Sequence, residues 1–180
     1  IADKLLAFND KRADLFNLMK KVASEQPLMK YLHFEREDWW DPNHHQIDPF
    51  SVIGVFNRGI TDVNRTFLAK VLANTFEVKV IAPTLFAGIP VLDNRKSFFA
   101  GADEIWDLFV IAMKSAETNT FTAEFSMAFE KALAVNGNGL AYITMGLYWI
   151  RPNAFMPLDG NSRSFVAARY GITAPNSGCT

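Results

Sequence analysis

The chain has 180 residues, a hydrophobic fraction of 49% and a net charge of −1, which indicate a globular domain with a substantial core and exclude a disordered chain. Such a charge supplies no global positive field, so any contact with nucleic acid would need a local patch. The single cysteine, Cys179, excludes an internal disulfide and a cysteine-ligated metal, and a cytoplasmic setting is expected.

The length is accounted for by one helical domain over 1–174 followed by a flexible tail at 175–180, with two small lobes as the alternative. No apolar run reaches about 18 residues and no signal-peptide pattern opens the sequence, so membrane insertion and secretion are not expected. The chain begins with Ile and not Met, so we expect either a processed chain or, as the preferred alternative, a piece excised from a longer protein.

Apolar residues at helical spacing predict two helices in the first half of the chain, over 5–22 and 62–76. Thr61 is a suitable N-cap for the second helix, and Asp62 complements the helix dipole. Between them, the short run FSVIGVF at 50–56 fits either a strand or a buried helical turn, because periodicity does not separate the two.

The segment 35–49 is predicted to be a structured loop because it combines prolines, tryptophans and turn-forming residues. Trp39 and Trp40 could stack on an unpaired base, although tryptophans in long loops more often pin the loop to the core. His44 and His45 resemble metal ligands, but adjacent histidines do not readily bind one ion from an extended segment. We therefore expect no metal site and no cofactor within this chain.

Four further helices are predicted in the second half, over 103–115, 121–134, 140–150 and 161–170. The loop between the first two is short, so these helices are expected to pack antiparallel. The run 140–150 reads as a buried helix, with a strand as the alternative around Tyr142. The predicted fold class is mainly α, with at most one or two short strands.

The segment 137–170 forms one unit that contains a Gly-Asn-Gly turn, an apolar run, an Arg-Pro break and an isolated aspartate. Gly137 and Gly139 suit a tight hairpin between helices, in which backbone N–H groups become accessible. Asp159 or Asn161 can cap the final helix by accepting bonds from its first N–H groups.

This unit resembles the core of helix-hairpin-helix DNA glycosylases, and the local sequence FMPLDGN resembles their adenine-specific branch. The resemblance implies that Gly137, Asn138 and Gly139 dock a DNA phosphate and that Asp159 attends a flipped nucleotide. The helix after the hairpin begins without a lysine, which argues against lyase chemistry and leaves monofunctional base excision. The alternative role of Asp159 is a helix cap alone.

Polar turns and arginines supply further candidates for contacts to phosphates and base edges, because guanidinium forks and amides suit both groups. The same residues could equally be solvated turns. The predicted nucleic-acid-binding residues are Asn57, Arg58, Arg65, Asn94, Arg95, Lys96, Gly137, Asn138, Gly139, Arg151, Asn161 and Arg163.

Four segments, FNRGITDVNR, GIPVLDNRKSFF, DEIWDLF and YITMGLYWIRPNAFMPLDGNSR, together resemble the region that precedes the AAA-type GTPase in proteins of McrBC-like, modification-dependent restriction systems. The resemblance implies a DNA-recognition module that flips a modified base, with the rest of a larger GTPase chain and a nuclease subunit as partners. GTPase motifs are absent from this sequence, so recognition alone is expected of it. The alternatives are a monofunctional DNA glycosylase and a protein–protein interaction domain.

Overall fold

A computed structural model of the chain describes residues 1–32, 47–55, 61–79 and 101–173, and over these ranges the protein is mainly α, without a β-strand. The predicted fold class is confirmed, and residues 50–54 and 140–150, for which a strand was an alternative, are helical. The helices are α1 (Ala2–Leu5), α2 (Arg12–Glu25), α3 (Pro49–Gly54), α4 (Asp62–Thr75), α5 (Ala102–Thr118), α6 (Ala123–Ala134), α7 (Leu140–Ile150) and α8 (Gly160–Tyr170).

Contacts within the chain group into two compact units, Ile1–Phe98 and Phe99–Thr180. Helices α1 to α4 belong to the first unit and α5 to α8 to the second. A single domain over 1–174 therefore stays a prediction. The Trp/His part of the predicted loop, 35–46, and the tail at 175–180 lie outside the described residues.

The predicted continuous helix over 5–22 is wrong, because the chain turns between α1 and α2. A 3-10 turn at Leu6–Phe8 leads into Asn9 and Asp10, and the Lys11 N–H donates to the Phe8 carbonyl at 2.9 Å. Asn and Asp favour turns since their side chains bond locally to the backbone. The Asn9 carbonyl also accepts a bond from Arg12 Nε at 3.0 Å, which fixes the start of α2.

Helix α4 begins as predicted, because the Thr61 hydroxyl accepts a bond from the Asn64 N–H at 3.3 Å. Fewer of the apolar residues in α4 are buried than their helical spacing in the sequence suggests. Leu68 and Leu72 are fully buried, whereas Val63 and Phe67 are 77% and 45% exposed. Apolar spacing therefore predicted the helix correctly but not which residues face the core.

The core of the second unit is built around α5, which packs against both α6 and α7. Trp106 and Phe109 on α5 are fully buried, with ring centroids 5.7 Å apart in an edge-to-face arrangement. Asn119 ends α5 in the left-handed conformation, with its N–H bonded to the Ser115 carbonyl. This turn reverses the chain within a few residues, so α6 packs antiparallel to α5, as the short loop predicts.

Helix α3 is short, but all six of its residues are buried, and it starts at the buried carboxyl of Asp48. The Asp48 side chain accepts bonds from the Ser51 N–H, at 2.8 Å, and from the Ser51 hydroxyl. Burial raises the pKa of Asp48 from 3.8 to about 6, against the bonds from Ser51, which lower it. The folded chain thus binds the Asp48 proton more tightly than the unfolded chain does.

This linkage predicts that the free energy of unfolding falls as pH rises from about 4 to about 6 and is then level, as far as Asp48 contributes. Asp48→Asn keeps an acceptor for the Ser51 N–H and removes the titration. The difference in unfolding free energy between the wild type and this variant should shift by about 3 kcal/mol across that range, with the wild type favoured at low pH. Urea unfolding at a series of pH values measures it, and a constant difference would contradict the assignment.

Candidate nucleic-acid interface

The Gly-Asn-Gly turn joins α6 to α7, as the sequence predicts. Gly137 has a φ of +99°, a conformation that side chains strongly disfavour, so a glycine is needed there. Asn138 holds the turn together, because its N–H donates to the Val135 carbonyl and its Nδ2 donates to the Ala132 carbonyl, each at 3.0 Å. The result is a short, hydrogen-bonded turn between α6 and α7.

Gly139 lies at the N-cap position of α7 in an extended conformation, with φ −122° and ψ 161°. Among the described residues no side chain caps this helix, and a Cβ added at Gly139 would meet nothing within 4 Å. There is thus open space beside Gly139, where the side chain of an N-cap residue would lie. The first N–H groups of a helix need an acceptor from a cap, from water or from a ligand.

Thr144 connects α7 to the chain that enters α8. Its hydroxyl donates to the Leu140 carbonyl at 2.8 Å and accepts a bond from the Leu158 N–H, also at 2.8 Å. Thr144 is buried, so this pairing satisfies a polar group inside an otherwise apolar helix. The bond brings the residue before Asp159 against the first turns of α7.

In the structure, Asp159 is the N-cap of α8. Its carboxylate accepts a bond from the Ser162 N–H at 2.8 Å, whereas Asn161 lies exposed in the first turn of the helix. Arg163 follows one turn after Asp159 and is half-buried. The geometry shown for Asp159 is that of a helix cap, and it places the carboxylate at the edge of the unit.

The predicted contacts of the second unit separate into two groups along α7. Thr144 lies about 7 Å along the helix axis from Gly139. Because the Leu158 N–H bonds to Thr144, the chain just before Asp159 and α8 lies along the first half of α7. Arg151 follows the last residue of α7, about 18 Å from Gly139, and its Nη1 donates to the Ile150 carbonyl at 2.8 Å. The structure thus brings Leu158, the residue before Asp159, to the first half of α7, whereas Arg151 lies at the other end of that helix.

The other predicted DNA-binding residues belong to the first unit or lie outside the described part of the chain. Arg65 belongs to α4 in the first unit, where its Nη1 lies 3.5 Å from the Asp62 carboxylate. In the described ranges no three His, Cys, Asp or Glu side chains form a group that could hold a metal ion, and no helix is long and apolar enough to span a bilayer. Five predicted residues lie outside the described part of the chain: Asn57, Arg58, Asn94, Arg95 and Lys96.

Sequence reasoning missed the role of Thr144. The signal was present, because Thr144 is a hydroxyl residue in the middle of the apolar run 140–150. A buried hydroxyl needs partners, but the sequence does not say that one of them is the backbone of Leu158, 14 positions away.

The fold and this site define a helical protein in whose second unit two helices are joined by a Gly-Asn-Gly turn and followed by a helix capped by Asp159. The chain belongs to the family described as Domain of unknown function (DUF8425), whose model matches residues 1–179. No curated protein and no solved structure matches it.

The bond between Thr144 and Leu158 can be tested by Thr144→Val, which keeps the shape of the side chain and removes the hydroxyl. The Leu158 N–H would lose its partner, so the free energy of unfolding should fall by about 1–3 kcal/mol. Thr144→Ser keeps the hydroxyl and should retain most of the stability. Chemical unfolding followed by circular dichroism measures both, and equal losses in the two variants would mean that the methyl group, not the bond, matters.

Proposed function

We propose that this chain is a DNA-recognition module whose second unit holds a DNA phosphate at the hairpin 137–139. The observation that carries the proposal is the open, uncapped start of α7 behind Gly139. No side chain of the described residues caps the first N–H groups of α7, at Leu140 and Ala141, and the helix dipole adds a positive potential there. A phosphate satisfies both requirements.

The starts of the other helices support this choice. Within the described ranges, helices α5 and α6 of the same unit also lack a side-chain cap bond, but each carries at least one acidic residue in its first turn, and α7 carries none. Asp48, Thr61 and Asp159 each place a side-chain oxygen on the first N–H groups of α3, α4 and α8. In the described unit that carries the hairpin, α8 is thus already occupied by a carboxylate, whereas α7 is not. An incoming anion would therefore favour α7 over α8.

Neighbouring side chains extend the site. Asn161 is exposed at the start of α8 and can donate to a phosphate or a base edge. Arg163 supplies positive charge one turn further along α8. Arg151, at the far end of α7, is placed to contact a different phosphate.

The resemblance to McrBC-like systems supports a place for this module in a larger GTP-dependent restriction protein that reads modified DNA, with a separate nuclease subunit. A chain with a net charge of −1 is expected to bind DNA weakly and with marked dependence on salt. An oligomeric GTPase would supply avidity, since linked modules bind with a high effective concentration.

The hairpin can be tested by Gly139→Asp. The backbone at Gly139 is ordinary extended conformation with free space around it, so the change fits and the new carboxylate can cap α7 itself. Stability should be retained, while affinity for duplex DNA falls about tenfold and the salt dependence weakens by about one phosphate contact. Fluorescence polarisation with a labelled duplex over a salt series measures both.

Two controls sharpen this test. Gly139→Asn adds a cap of the same size without the charge and should weaken binding less than Gly139→Asp. Asn17→Asp adds the same charge at an exposed position of α2, and should leave the affinity close to that of the wild type. Equal binding by the wild type and Gly139→Asp would remove the hairpin from the interface. If the wild type binds neither modified nor unmodified duplex at low salt, a protein–protein interaction domain becomes the better account.

Base excision is the second candidate, and the position of Asp159 favours it. The carboxylate lies at the start of α8, beside the first turns of the helix that follows the hairpin. There it could support the positive charge that develops on a sugar as a base departs. The enzyme reading requires a carboxylate, whereas the helix cap requires only a side-chain oxygen.

This difference makes Asp159→Asn decisive, because Asn is as good an N-cap as Asp. In single-turnover incubations with duplexes that carry methylated, oxidised or mismatched bases, alkali reveals abasic sites as strand breaks. If Asp159 is catalytic, the variant should bind as the wild type does and give no breaks. A wild type that gives no breaks on any duplex it binds would leave Asp159 as a cap in a DNA reader.

A further inference from the structure

Helix α8 buries only a small part of its surface. Of its eleven residues only Val166 is buried. Two aromatic side chains remain largely in solvent, with Phe165 60% and Tyr170 65% exposed. Single exposed apolar residues are ordinary on protein surfaces, but these two rings contact each other, with centroids 6.3 Å apart in an edge-to-face arrangement.

The charged side chains of the segment that carries these rings have one sign. From Gly160 to Thr173 the sequence contains Arg163 and Arg169 and no carboxylate side chain. Arg169 is exposed and lies four residues after Phe165, so both side chains occupy the same face of the helix. This face therefore combines exposed aromatic rings with a cation, although the whole chain is slightly negative.

We propose that the face of α8 formed by Phe165, Arg169 and Tyr170 stacks an unpaired nucleobase, with the Arg169 guanidinium on the neighbouring phosphate. The inference rests on the proposed DNA binding and names its substrate as DNA with a base outside the double helix. Every nucleobase offers a flat π surface and every nucleotide a negative charge, and an aromatic–arginine surface complements both. The partner is thus defined by shape and charge and not by sequence.

The composition of the face favours nucleic acid over a lipid surface. A helix that lies on a membrane needs a broad apolar side, usually with several large aliphatic residues. On α8 the exposed large apolar side chains are the two aromatic rings alone, and Ile172 follows after the helix has ended at Gly171. Asn161 and Ser164 add exposed hydrogen-bonding groups to the same helix, which suit phosphates and base edges.

The test uses the full chain and a short duplex that carries one bulged 2-aminopurine, beside the same duplex fully paired. Stacking on an aromatic ring quenches 2-aminopurine, so binding should lower its fluorescence in the bulged duplex. The wild type should also bind the bulged duplex about tenfold more tightly, which is within the range measured for one base stacked on an aromatic side chain.

Leucine substitutions separate stacking from simple apolar contact. The double variant Phe165→Leu/Tyr170→Leu keeps apolar side chains and should lose both the quenching and the preference for the bulge. Phe165→Trp keeps a ring and should retain both. Phe67→Leu changes an exposed phenylalanine on α4 and should behave as the wild type, which controls for a general loss of aromatic surface. Circular dichroism checks that each variant is folded.

The outcomes separate this inference from the proposed function. If quenching and preference are absent in the wild type, or persist in the leucine double variant, the stacking face is overturned. Binding to vesicles of phosphatidylserine and phosphatidylcholine that the double variant loses, without any preference for the bulge, would overturn it in favour of a membrane surface. Failure of the hairpin shows separately, as a Gly139→Asp variant that binds the paired duplex as well as the wild type does.

Discussion

The arrangement of the second unit depends on one buried hydroxyl. Thr144 donates to the carbonyl one turn before it and accepts from the Leu158 N–H, so a single side chain satisfies two backbone groups of segments that are distant in sequence. A buried polar group costs free energy unless it is paired, and this pairing therefore restricts where the chain after α7 can run. Leu158, the residue before the cap of α8, is held against α7 for that reason.

Helix capping determines which helix N-termini keep their positive potential. Where a carboxylate already accepts bonds from the first N–H groups, as Asp159 does on α8, the helix terminus is neutralised by its own chain. At α7 a glycine stands in the corresponding position, and the turn before it needs a positive φ at Gly137. Conformation thus explains Gly137, whereas Gly139 has an ordinary backbone and open space around it. Its lack of a side chain keeps the start of α7 accessible.

Local charge matters more than net charge in a chain of this composition. The net charge is near zero because acidic residues balance basic ones over the whole sequence. In the segment 160–173, however, the charged residues are arginines alone. Exposed aromatic rings on the same helix add a surface for flat partners. In the proposed interface, the start of α7 would hold the DNA backbone and the aromatic face of α8 would hold a base. The two roles use different physics, since phosphate contacts weaken with salt whereas stacking depends on it far less.

The sequence by itself determined the helical class and several boundaries. Thr61 and Ile150 mark helix ends correctly, because capping and the influence of Pro152 act over a few residues.

Tertiary structure decided what local rules leave open. Phe50 enters a helix and not a strand because every residue of α3 is buried and its carboxyl cap is satisfied. Sequence order also groups Arg151 with the hairpin, although a helix of eleven residues separates them, and it gives no sign that Leu158 returns to Thr144. Such contacts join residues far apart along the chain, and their partners are selected by packing and by the need to pair buried polar groups, which no local pattern records.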